Sequence, residues 1–129
     1  MRTMHLALVG GCAMVGVVFG FLIGVQHLPP FVPAPIAGNM LALAGAVCIA
    51  VGGGILRPRV PEAPAEQEAE AYWTLPGTRM AALLLWAVIE GGILFGWVGM
   101  LVSHVMPPAF VAILGIAFLW KYRPASLQT

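Results

Sequence analysis

Few side chains in this chain are able to do chemistry, and one of them stands apart. Glu90 lies near the middle of the apolar run Met80 to Val102. A carboxyl group at that depth of a membrane-spanning helix is costly to hold and marks a functional-site hypothesis by default. Burial in low dielectric favours the neutral acid, and no Lys, Arg or His falls at comparable depth in any expected span. Two chemistries fit such a group: binding and release of a proton or cation, or a polar contact between helices. Gly91 and Gly92 follow it directly, removing side-chain bulk where another helix, a water or an ion would approach.

The remaining candidates are weaker. His27 and His104 fall at the same expected end of their spans, where a metal or haem could bridge them. Two ligands without a supporting Cys, Asp or Glu make a poor metal site, and His5 belongs to the opposite end. Cys12 and Cys48 sit inside apolar runs, so they read as packing residues rather than a disulfide framework. Ser103 and His104 are adjacent, and neighbours on a helix do not face each other, which leaves a nucleophile–base pair unsupported. The chain has no Asp, no phosphate-binding glycine loop with Lys and no CxxC. The expectation is a protein that is not an enzyme and holds no cofactor.

The elements that must position Glu90 follow from composition. Of 129 residues, 60% are hydrophobic and 9% charged, against about a quarter charged in a soluble domain. Lipid must cover the excess, which makes the bilayer the first partner. The net charge of +1 gives no reason to expect nucleic acid. A span needs about 20 apolar residues, and four candidates emerge, at about 4–27, 37–56, 80–102 and 108–122. The last is roughly 15 residues and falls short of a hydrocarbon core about 30 Å thick. Pro107-Pro108 fits a chain break followed by the first position of that helix. Gly52-Gly53-Gly54 predicts a fray or kink near the end of span two.

With four spans, Arg2, Arg57, Arg59, Arg79, Lys121 and Arg123 all fall on one side. Lys and Arg are retained in cytoplasmic loops, so both termini and the loop 57–79 are expected inside a bacterial inner membrane. Tyr72, Trp73, Trp120 and Tyr122 would lie at that interface. The loop holds Glu62, Glu66, Glu68 and Glu70 and reads as a solvated linker or short surface helix. The opposite loop, His27 to Asn39, carries Pro29, Pro30, Pro33 and Pro35 and predicts a stiff, extended segment. A cleaved signal peptide is disfavoured, because the first apolar stretch exceeds the usual 7–15 residues and the small residues at Ala34 to Ala37 form a poor cleavage pattern.

Small residues recur every four positions in the first two spans: Gly16, Gly20 and Gly24, then Gly38, Ala42, Ala46, Ala50 and Gly54. Such rows let backbones approach closely. Packing the two rows together predicts an all-α membrane protein of four helices in two antiparallel hairpins, forming a single membrane domain. Either row also suits a second copy of this chain or another membrane subunit.

Glu90, Phe95 and Gly96 have the spacing of the carboxylate helix of the rotary ATP synthase c subunit (proteolipid), and span two supplies a small-residue helix before it. About 40 residues resemble that family, with a much longer loop and two extra spans here. The resemblance implies that Glu90 binds a proton; it does not extend to rotary catalysis. In overall shape the chain is similar to small bacterial inner-membrane proteins with a Trp/Ala-x-x-Glu helix. The favoured expectation is a structural or assembly subunit with Glu90 as a buried helix contact. A proton- or cation-binding subunit of a transport or energy-coupling complex is the alternative.

Overall fold

The computed structural model describes residues 2–61 and 69–127, and these contain helices and no strand. The long elements are α1 (Arg2–Gly24), α2 (Pro35–Val51), α4 (Pro76–Ser103) and α5 (Met106–Lys121), with short helices α3 (Ala69–Thr74) and α6 (Pro124–Leu127) at one end. Three segments, Arg2–Gly24, Pro35–Arg59 and Gly77–Ser103, are long and apolar enough to cross a membrane, and Met106–Lys121 is a shorter apolar helix. At 1.5 Å per residue α5 is about 24 Å long. Apolar side chains stand exposed on every long helix, among them Met14 and Phe21, Leu43 and Val47, Leu84 and Leu94, Phe110 and Ile113. Water cannot cover such a surface favourably, whereas lipid can.

Helix boundaries are set by proline and glycine. α2 starts with Pro35 in its first turn and Ala34 extended before it, so a loop expected to last until Asn39 ends earlier. Proline is tolerated there because the first-turn N–H has no intrahelical partner. α5 likewise absorbs Pro107 and Pro108 in its first turn and begins at Met106. The triple glycine becomes a π-helical turn, Gly52–Leu56, followed by a 3-10 turn, Arg57–Arg59. α4 ends at His104, whose left-handed backbone (φ 53) returns its N–H to Met100 O at 2.8 Å.

α4 is the centre of the bundle, packing against α1, α2 and α5. His5 and Gly16 of α1 meet Trp86 and Trp97 of α4 in ascending order, so these two helices run parallel. Gly38 and Gly45 of α2 and Gly52 of the π-helical turn that continues it meet Ser103, Gly92 and Ile89 in descending order, which makes α2 antiparallel to α4. α5 is also antiparallel to α4, with Gly96 against Ala112 and Trp86 bonded to Tyr122. The expected second hairpin is therefore present.

The first hairpin is not. α1 packs on α4 and α5 instead of along α2. At about 100° per residue, Gly92 and Gly99 face α2 while Glu90 and Trp97 lie on the far side of α4. α5 occupies the angle between α1 and α2. Of the α1 row, only Gly16 is used: a Cβ there would lie 2.5 Å from the Trp97 ring, whereas Gly20 and Gly24 have nothing within 4 Å.

The α2 row fails for a geometric reason. Each four-residue step advances about 40° beyond a full turn, so a strict row winds off any contact face. Gly38 and Ala42 are buried, Ala46 is half-buried, and Ala50 and Gly54 are exposed. The seam that packs is Gly38, Ala42, Gly45, Ile49 and Gly52, whose alternating steps of four and three stay on one face.

One end of the bundle is closed by a polar and aromatic cap. Of the two expectations for this loop, a solvated linker or a short surface helix, Ala69–Thr74 forms a short helix, and its Tyr72 turns inward: Tyr72 is 1% exposed, its hydroxyl donates to Pro61 O at 2.5 Å, and Leu127 O lies 3.3 Å away. Trp73 stacks edge-on against Tyr72 at 4.7 Å. Glu62, Glu66 and Glu68 lie outside the described residues, and Glu70 is described only in its backbone. By helix direction, Arg2, Arg57, Arg59, Arg79, Lys121 and Arg123 all belong to this capped end.

Candidate functional site

Glu90 sits at the edge of the α1–α4 seam. Trp86, Glu90, Ile93 and Trp97 recur at steps of four, three and four, a spacing that places them on one helix face. Trp86, Ile93 and Trp97 are buried, while Glu90 is half-buried. Its neighbours in projection on the other side, Ala87, Gly91 and Leu94, belong to the open face of α4. Gly91 has nothing within 4 Å of its Cβ direction.

The indoles above and below Glu90 tie the seam together through polar bonds. Trp97 Nε1 donates to Cys12 O at 3.0 Å, and its ring occupies the space Gly16 leaves. Trp86 Nε1 donates to Tyr122 O at 2.8 Å, satisfying a carbonyl at the end of α5. His5 lies across the Trp86 ring at 4.9 Å between centroids and bonds Leu119 O at 2.6 Å through Nε2. A carbonyl partner requires the proton on that nitrogen. Trp86 Nε1, Trp97 Nε1 and His5 Nε2 each have a backbone carbonyl as partner. Among the described residues, no side chain hydrogen-bonds or ion-pairs with the Glu90 carboxyl.

The other sequence candidates disperse. Gly92 and Gly96 face inward in different directions, a Cβ at Gly92 lying 2.8 Å from Gly45 O and one at Gly96 lying 2.6 Å from Pro108 O. Phe95 and Gly96, which carry the c-subunit resemblance, diverge: Phe95 is exposed, and Gly96 presses on α5. His27 is exposed at the turn after α1, while His104 caps α4 with its Nε2 buried and without a partner. No group of three His, Cys, Asp or Glu able to hold a metal occurs among the described residues.

Two interhelical polar contacts escaped the sequence reading. Ser103 bridges helices, its hydroxyl accepting from Gly38 N at 2.9 Å and donating to Ala34 O at 3.1 Å. His5, expected only to belong to the end opposite His27 and His104, is buried between α4 and α5. An apolar-flanked His so near an expected helix start was the only signal, and it does not specify a partner helix.

Comparisons of the chain with protein-family models, curated proteins and solved structures give no match.

Proposed function

We propose that this protein is a structural or assembly subunit of a membrane complex, crossing the bilayer four times, in which Glu90 makes a polar contact to a helix of another chain. The observation that carries this reading is the position of Glu90: half-buried at mid-helix, without a side-chain partner among the described residues, and next to Gly91 and the open face of α4. A carboxyl facing hydrocarbon gains from any hydrogen-bond partner that a neighbouring helix offers, by about 0.6–2 kcal/mol. The cations gathered at one end support both termini facing the cytoplasm of a bacterial inner membrane.

The alternative is proton or cation binding at Glu90 within an oligomeric transport or energy-coupling complex. It is favoured by the partial exposure of the carboxyl, which leaves a route for an ion. Assembly and ion movement, measured on the same variants, separate the two. Under the contact reading, Glu90→Gln retains the native particle mass and co-purifying chains in mild detergent, and Glu90→Leu loses them. Under the ion-binding reading, Glu90→Gln assembles but abolishes ion or proton movement, and carbodiimide labels the wild-type residue in a pH-dependent way. A Glu90→Leu protein that assembles and works as the wild type does overturns both.

A further inference from the structure

We propose that the groove between α2 and α5 at the cationic end is a binding site for an anionic phospholipid, with an acyl chain in the groove and the phosphate at Arg57 and Lys121. The groove has a volume of about 390 Å³. Its walls are Ala46, Ala50 and Gly53 on one side and Leu114, Phe118 and Tyr122 on the other. From Ala46 to Gly54 it runs about 12 Å along the helix axis, enough to bed the upper part of an acyl chain. Small residues on α2 keep it open, and the π-helical turn at Gly52–Leu56 shifts the backbone where the groove meets the cap.

The mouth carries the charge. The Arg57 guanidinium lies 6.0 Å from the centre of the Tyr122 ring, and Lys121 Nζ lies 5.8 Å from the same centre. Two cations from different helices thus converge on one ring that is itself a groove wall. Among the described residues neither is in an ion pair. A phosphate diester bonded by both would neutralise them, and its chain would descend between the helices beneath Tyr122. A zwitterionic lipid brings a compensating ammonium to the same place, and a free phosphate lacks the chain. The complementarity therefore selects an anionic lipid. This site is independent of Glu90 and shares no side chain with the α1–α4 seam.

The test uses the full chain in detergent, with native mass spectrometry counting bound phosphatidylglycerol against phosphatidylcholine of identical acyl chains. Phosphatidylglycerol is expected to be retained preferentially. Each cation near a membrane surface strengthens anionic-lipid binding by about fivefold, so R57Q with K121Q should weaken retention by roughly thirtyfold and abolish the preference. Ala50→Phe, which fills the groove from an exposed position, should lower retention of both lipids with the cations intact. Thermal melting confirms that both variants are folded. Equal retention of the two lipids, or an unchanged preference in the double variant, overturns the proposal. So does displacement of phosphatidylglycerol by inorganic phosphate at equal concentration, which would reveal a headgroup-only anion site.

Discussion

Gly45 of α2 and Gly92 of α4 face each other where the two backbones cross at close range. A Cβ added at Gly45 would lie 2.7 Å from Gly92 O, and one added at Gly92 would lie 2.8 Å from Gly45 O. The obstacle in each case is backbone, which cannot rotate aside. Gly45 lay outside the four-residue row, and the contact exists because α2 meets α4 along alternating four- and three-residue steps.

Replacing Gly45 or Gly92 with Val should therefore force α2 and α4 apart. Overpacking a close contact costs about 1–3 kcal/mol. The expected outcome is a lowered melting temperature in detergent, with Gly20→Val and Gly24→Val near wild type. Equal loss for all four would mean that helix propensity, not the crossing, governs the effect.

Gly16→Ala tests the α1 contact separately. The methyl would meet the Trp97 ring at 2.5 Å, a side chain packed by its own bond to Cys12 O. Trp97→Phe should remove that bond at a cost of about 1 kcal/mol and, by relieving the ring, partly rescue Gly16→Ala. A double-mutant cycle on thermal stability reads the coupling; additive effects would contradict the contact.

Ser103→Ala removes the hydroxyl between Gly38 N and Ala34 O. Loss of such a bridge costs about 1 kcal/mol, and the first turn of α2 should fray. Faster hydrogen exchange at Gly38 than in the wild type is the expected readout, with α5 amides unchanged.

The Tyr72 phenol is pushed above its ordinary value by burial, an effect opposed in part by Arg57. A raised folded value means that the contribution of Tyr72 is fully present below the unfolded value of 10.0 and is lost as pH climbs through the folded one. The stability gap between the wild type and Tyr72→Phe should therefore stay constant below the unfolded value and shrink as pH rises from there through the folded one. A gap that widens in alkali would reverse this assignment.

The sequence by itself determined that this chain makes long apolar helices, roughly where each begins and ends, and that its cations collect at one end when four of them cross. Those properties follow from local composition: hydrophobic length sets a helix against lipid, while Pro35, Pro107 and the Gly52 to Gly54 run set its boundaries. It also singled out Glu90, because a mid-helix acid is conspicuous wherever the helix packs. Only the tertiary structure decided which helices touch. Lipid covers any apolar face equally well, so hydropathy cannot rank the possible neighbours, and a row of small residues does not say what fills it. Gly16 received an indole from α4 instead of a glycine row from α2, Tyr72 turned inward to Pro61, and Glu90 was left at the margin of its seam. Each outcome depends on which backbones fit within contact distance, and that is fixed by the joint packing of α1, α2 and α5 around α4.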